Sequence, residues 1–268
     1  MCIKKNIKLF VNNNEESIKC ADIVKKKFRE NGFRVVDNDN YEIAIAIGGD
    51  GSFIRMLKAN NFREDLYYVG INAGHLGFLQ EVKINDIDKF IKELINDEFQ
   101  IEELGVQETK VFLDNKEYTH YSSNEILVRD DNLDLVKSKV MIDNDLLENF
   151  TGDGILISTS LGSTAQNLGY HGSIIYTNFA ALQITPIAPI NSKIYSSLVN
   201  SVIIPSGKVI KLIPENKKVR ITVDGVHHIY NNVEHISSTI GDKKVKCLRF
   251  SHYNFPQKIN EKLLSKLI

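Results

Sequence analysis

The sequence has almost no net charge, few cysteines and no long apolar run, and each shortage closes off a class of function. Its 33 basic residues against 34 acidic ones leave a formal charge of −1 over 268 residues. Nothing global therefore draws the chain toward nucleic acid or a membrane surface. The densest basic run, Lys25-Lys26-Lys27, reads as the solvated face of a helix. Cys2, Cys20 and Cys247 are odd in number, far apart and form no C-x-x-C pair. That argues for a reducing, cytoplasmic setting and against a zinc site. The opening MCIKKNIKLF turns polar too soon for a signal peptide, and no stretch approaches the roughly 20 apolar residues of a membrane span. Internal repeats and low-complexity linkers are also missing.

What is present is ordinary in bulk, with 43% hydrophobic and 25% charged residues, enough for one large domain or two modest ones. The first hundred residues alternate short apolar strands (8–11, 33–36, 42–47, 67–71) with helical periods (15–30, 52–60, 86–97). The first helix carries Ile18, Ala21, Ile23, Val24 and Phe28 and stops at Asn31-Gly32; the third buries Ile87, Phe90, Ile91 and Leu94. That alternation predicts an α/β domain over 1–100 with an open Rossmann-like sheet. After about residue 100 helical signals are scarce. Residues 109–121 read as a hairpin around Asp114-Asn115, and 136–142, 209–213, 220–223 and 244–250 as further strands. The expectation is a β-rich, sandwich-like C-terminal domain over 101–250, with 251–268 packing back on the first domain and 260–268 regaining a helical pattern.

Four stretches carry the chemistry. Residues 43–53 read IAIAIGGDGSF, an apolar strand, a glycine turn and a helix start. Such turns cradle phosphate, yet no P-loop lysine follows and the G-x-G-x-x-G spacing is not met. Asp50 is out of place beside a resting anion, although a plain strand-to-helix turn also tolerates it. It makes sense beside a phosphate in transfer, where it accepts the proton of an attacking hydroxyl while magnesium on the phosphates offsets the repulsion. Residues 70–79, GINAGHLGFL, place His75, Leu76 and Phe78 in a second glycine loop, either a tight buried connection or a wall for a planar base. Ser123-Asn124-Glu125 opens a strand; the pair caps a turn or grips a sugar and a base edge. Residues 151–167, TGDGILISTSLGSTAQN, repeat a Gly-Asp-Gly turn and lead into a hydroxyl-rich loop, which caps a helix or donates to phosphate.

Together these blocks resemble the NAD kinase family in its compact bacterial form. The carrying residues are Gly48-Gly49-Asp50-Gly51, Gly74 to Phe78, Asn124-Glu125, Gly152-Asp153-Gly154, Ser158-Thr159 and Gly162-Ser163-Thr164-Ala165. The Gly-Gly-Asp-Gly turn alone is shared with diacylglycerol, sphingosine and phosphofructokinase relatives; the four blocks in order are far more specific. The resemblance implies that Asp50 is the catalytic aspartate, assisting attack by the adenosine 2′-hydroxyl of NAD on the γ-phosphate of ATP. It implies that Gly51 and Phe78 lie against that substrate, that Asn124 and Glu125 grip adenine and ribose, and that Asp153 faces the substrate. Thr164, Ala165, Gln166, Asn167 and Gly169 would line the NAD site, and Ala188 would set its backbone on an adenine. A divalent metal, Mg2+, would accompany the phosphates with no protein residue assigned to it. NAD and ATP, or another phosphoryl donor, would be the small-molecule partners, and the subunits would form dimers or tetramers.

The chain departs from the pattern at Thr151 (a basic residue is common), Ser160 (proline), Gln166 (tyrosine), Gly169 (serine) and His171 (glycine). Loss of a base-stacking ring is worth about 1–3 kcal/mol, so the expectation is altered affinity rather than lost activity. Two other readings stand beside the kinase of NAD. A lipid kinase would share the glycine turn but wants a membrane-seeking surface. A nucleotide-binding sensor would keep the pocket but has no use for Asp50. His227 and His228, after Asp224-Gly225, read equally as site or as turn surface.

Overall fold

A computed structural model describes residues 6–74, 77–216, 218–250 and 254–264. In chain order the first elements are β1 (Asn6–Val11), α1 (Glu15–Glu30), β2 (Arg34–Val35), β3 (Ile43–Gly48), α2 (Asp50–Ala59), β4 (Tyr67–Asn72), β5 (Val82–Lys83) and α3 (Ile87–Ile95). There follow β6 (Phe99–Leu113), β7 (Lys116–Ser122), β8 (Glu125–Asp130), β9 (Val136–Ile142), β10 (Asp145–Gly152), β11 (Gly154–Thr159), α4 (Gln166–Gly169) and β12 (Ala181–Ile187). The chain ends with β13 (Val202–Pro205), β14 (Ile210–Pro214), β15 (Lys218–Val223), β16 (Val226–Asn231), β17 (His235–Phe250) and α5 (Phe255–Ile259). It divides into two units: one runs to Leu104 and resumes at Lys243, the other spans Gly105–Asp242. The chain thus passes from one unit to the other inside the two longest strands, β6 and β17.

In the first unit β1 pairs in parallel with both β2 and β3, β3 with β4, and β4 with the end of β17. The order β2-β1-β3-β4 reverses direction between β1 and β3. A crevice outside the carboxyl ends of two such strands is where open α/β sheets bind ligands. The sheet is held by a helix face built from Cys20, Ala21, Val24 and Phe28 of α1 and Ile87, Phe90, Ile91 and Leu94 of α3. Phe90 meets both Phe28 and Phe250 edge-on, with ring centroids 5.9 and 4.7 Å apart. Ile18 and Ile23 of the expected apolar face of α1 are instead 49% and 47% exposed, because the face that reaches the sheet is the one carrying Cys20 and Val24.

In the second unit β8 to β16 pair antiparallel throughout the described residues, as do β6 with β7 and β14 with β17. One sheet has the order β13-β12-β11-β8-β15-β16, and a second joins β10, β9, β14 and the first half of β17. Val136, Val140 and Leu212 from one sheet and Ile126, Ile157 and Ile221 from the other share a single core, which makes the unit sandwich-like. The 109–121 hairpin is present as β6 and β7, turning at Asp114 and Asn115 with φ of +48° and +57°. After α5 a π-helical turn covers Asn260–Leu264; the rest of the helical pattern expected over 260–268 lies outside the described residues.

Candidate active site

The first unit gathers its unusual residues at the switch between β1 and β3. Every residue of β3 is buried, so the chain can turn only at its end. Gly48 leaves the strand at φ +144°, and a Cβ there would lie 2.5 Å from Ser52 Oγ; only glycine makes that exit. Gly49 caps α2 without a side chain over the first amides, leaving an anion-favouring helix N-terminus. Arg55 Nη2 donates to Asn12 Oδ1 at 2.7 Å and to Ser52 Oγ at 3.0 Å, which ties the two diverging turns together.

Asp50 is the first residue of α2, half-buried, and its carboxylate is held from another loop. The Phe78 N–H donates to Oδ2 and the Leu79 N–H to Oδ1, each at 2.9 Å. Gly77 permits this approach, because a Cβ on it would fall 1.9 Å from Asp50 Oδ1. Two directed hydrogen bonds thus answer the repulsion that made the residue look misplaced. Gly51 is exposed beside it, and Lys262 Nζ lies 5.8 Å from the centre of the half-buried Phe78 ring. His75 and Leu76, which the sequence singled out with them, lie outside the described residues.

In the second unit the turn before β8 is gripped from two sides. Asp224 Oδ1 accepts from the N–H groups of Asn124 and Glu125 at 2.8 and 3.1 Å. Its Oδ2 accepts from Ser123 N–H and Oγ–H at 2.9 and 3.1 Å. From the end of β11, Thr159 N–H donates to Asn124 O at 2.8 Å and Thr159 Oγ1 to Ser123 O at 2.6 Å. Gly162 lies so close that a Cβ would stand 2.1 Å from Asn124 O. Glu125 faces Ser158 across the β8–β11 register. Asn124 Oδ1, Glu125 Oε2 and Ser158 Oγ are all buried without a protein partner. Buried polar groups are rarely left so. Burial, and secondarily the charge of Asp224, pushes the Glu125 carboxyl up to about 8, against a smaller opposing pull from the Gln166 backbone N–H.

The loop after β11 is built to be stiff. Asn167 is fully buried: its Nδ2 donates to Ser163 O and Ser173 O at 3.1 and 3.3 Å, and its Oδ1 accepts from Thr185 Oγ1 at 2.6 Å. A Cβ on Gly172 would lie 2.1 Å from that Oδ1. Asn167 therefore shapes the loop from inside, while Gln166 and Gly169 are exposed and Thr164 and Ala165 half-buried. Gly169, Tyr170, His171 and Ala188 line one cavity of about 540 Å³. Ala188 has φ +43° and His171 φ +62°, so the histidine keeps a left-handed backbone that glycine adopts more cheaply. Ser160 keeps φ −59°, the value proline would impose. Asp153 is exposed and its N–H donates to Ile187 O at 2.9 Å. Thr151 is buried, with N–H and C=O both bonded to Ser197 Oγ. Asp50, Gly51 and Phe78 belong to the first unit and the other candidate residues to the second.

Comparison with known proteins decides the family. The model for the ATP-NAD kinase N-terminal domain matches residues 3–99, and that for the ATP-NAD kinase C-terminal domain matches residues 123–250. The chain belongs to the NAD kinase family. Members of that family are phosphotransferases with a hydroxyl acceptor. The NAD kinase of Finegoldia magna is 41% identical over 255 residues, spanning 92% of this chain and 93% of that protein. That of Streptococcus pneumoniae Hungary19A-6 is 30% identical, spanning 98% and 97%. The fold matches the crystal structure of yeast NADH kinase complexed with NADH at a TM-score of 0.82, with 18% identity over 99% of this chain and 89% of that one. It also matches an NAD kinase from Archaeoglobus fulgidus in complex with ATP at 0.74, with 15% identity over 97% and 99%.

In this NAD kinase-family chain the turn before β8 depends on a residue that no motif singles out. Asp224 sits at φ +44° in a two-residue turn with Gly225 between β15 and β16. Asp-Gly between alternating strands does announce a hairpin. Nothing local announces that the carboxylate bonds a turn 100 residues earlier.

Proposed function

We propose that this chain transfers the γ-phosphoryl group of ATP to the adenosine 2′-hydroxyl of NAD, producing NADP and ADP. The observation that carries the reading is Asp50, a carboxylate fixed by two amides at the first residue of an uncapped helix. Its Oδ lone pairs remain able to accept one more proton-bearing group. As the 2′-oxygen attacks the γ-phosphorus, its O–H bond breaks and the proton passes to Asp50; a P–O bond forms, the β–γ P–O bond breaks and ADP leaves. The open amides of α2 and the glycine turn hold phosphate oxygens. Asn124, Glu125 and Ser158 supply the polar groups for adenine and ribose, and Glu125, protonated near neutral pH, donates there rather than repelling the pyrophosphate. Asp153, Thr164, Ala165, Gln166, Gly169 and Ala188 line the remainder, with Asn167 holding their loop in shape.

Among the described residues no three His, Cys, Asp or Glu side chains converge as a metal cage. A Mg2+ carried on the phosphates would neutralise their charge when bound. Exposed apolar side chains between Tyr176 and Ile203, with Ile194 at 85% and Val199 at 67%, support a homodimer or homotetramer. No helix of the described residues is long and apolar enough to cross a membrane. Cys20 and Cys247 are free thiols, which suits a cytoplasmic enzyme. The test is turnover of NAD, ATP and magnesium by the purified protein. NADP must form, and lipid phosphorylation or nucleotide binding without turnover would overturn the reading.

A further inference from the structure

The loop that holds Asp50 is itself held, by a residue 180 positions further on. Lys258 Nζ donates to the carbonyls of Phe78 and Gln80 at 3.3 and 3.1 Å and to Glu81 Oε2 at 3.1 Å. Phe78 is also the residue whose N–H binds Asp50 Oδ2, and Leu79 between the two carbonyls binds Oδ1. One ammonium group thus fixes the carbonyl side of the same peptide run whose amide side fixes the carboxylate.

The surroundings make this a built arrangement. Glu81 has a fully buried side chain and also meets Arg249 Nη1 at 3.5 Å and the Phe250 N–H at 3.2 Å. Arg249 in turn pairs with Glu102 at 2.6 Å. Two buried cations and two acids balance, which is what burial of such charge demands. The element carrying Lys258 is little more than one turn long and cannot stand by propensity alone. It is fixed by Asn254, whose Oδ1 accepts from Gln257 N–H at 3.0 Å, by Pro256 in the first turn and by the buried Phe255. Lys258 is itself buried, and burial, set against the nearby Glu81, pushes its ammonium below the usual lysine range. An apolar side chain would fill that space without the cost of burying charge.

We infer that Lys258 is a positioning residue for Asp50: it orients the 78–81 loop so that the two amides present the carboxylate to the acceptor hydroxyl. This rests on the reading of Asp50 as the proton acceptor. A displacement of the order of 1 Å in a reacting group costs roughly a hundredfold in rate.

Steady-state kinetics on the full-length Lys258→Met, Lys258→Arg and Asp50→Asn proteins tests it, with folding checked by circular dichroism. Lys258→Met lowers kcat by roughly 10- to 100-fold and leaves the KM values for NAD and ATP within about twofold. Lys258→Arg, which keeps the charge with a different head group, recovers part of the loss. An unchanged kcat in folded Lys258→Met, or a loss confined to KM, overturns the inference. Should Lys258→Met fail to fold, Lys258→Arg decides alone: a kcat loss at constant KM supports positioning, and full activity refutes it. If Asp50→Asn itself stays active, the fault lies with the base assignment and not with Lys258.

Discussion

Asp50 of the first unit and Glu125 of the second are carboxylates treated in opposite ways. Asp50 has both oxygens bonded to amides in the folded protein, whereas Glu125 keeps a buried oxygen with no partner and a proton up to about pH 8. On the proposed reaction, fixed dipoles hold Asp50 in one orientation toward the proton it takes. On the same reading Glu125 is left unsatisfied, so that the ligand supplies what the protein withholds. If, as proposed, Asp50 serves the reaction and Glu125 the ligand, substitutions in the two units should separate along that line.

The largest effect belongs to the first unit. Asp50→Asn keeps only one of the two amide contacts, because its NH2 cannot accept from a backbone N–H, and removes the proposed proton acceptor; kcat falls by roughly 10² to 10⁴ with the KM for NAD little changed. A KM effect of similar size would erase the contrast between the units. Asp224→Ala is the severest change in the second unit, since it strips four donors of their acceptor. A loss of about 3 kcal/mol or more of stability, seen in urea melts, should accompany weaker NAD binding.

Glu125→Gln sharpens the comparison through pH. The folded protein keeps a proton on Glu125 up to about 8, against 4.5 for the ordinary group. The unfolded chain has released that proton at lower pH, so between these values the folded state binds more protons than the unfolded one. Stability from this group is therefore lost as pH rises through the window, by at most about 1.4 kcal/mol per pH unit. The glutamine variant should flatten that slope, read from denaturation midpoints across the range; an unaltered slope would place the titration elsewhere. Gln166→Tyr is the mildest change. It restores a ring on the exposed face of the loop and should lower the KM for NAD roughly tenfold with kcat held, and an unchanged or raised KM would mean the pocket is complete with glutamine.

Much of this was legible because it is local. β9 spans 136–142 as its alternation predicts, and α1 spans 15–30. The helix read at 52–60 begins at Asp50 instead, since the turn glycines hide a helix start that needs no side-chain cap. The sequence pattern predicts β17 only over 244–250, yet it begins at His235. Ser237 and Ser238 look like turn residues, but pairing with Lys211 and Ile210 of β14 holds the stretch extended. β12 escaped notice for a different reason: Pro186 argues against a central strand, and it is tolerated because β13 pairs only as far as Ile184. Within the site, Asp50, Asn124 and Glu125 announce themselves by their motifs. Asp224 and Lys258 do not, because each acts across more than 90 residues and neither sits in a stretch whose composition is unusual.

A structure of the protein with NAD and a non-hydrolysable ATP analogue tests the central claim most directly. An Asp50 oxygen should lie about 2.6–3.2 Å from the adenosine 2′-oxygen, or be joined to it by one water, with the Phe78 and Leu79 amides still on the carboxylate. A 2′-hydroxyl out of reach of Asp50, with no bridging water, would contradict it.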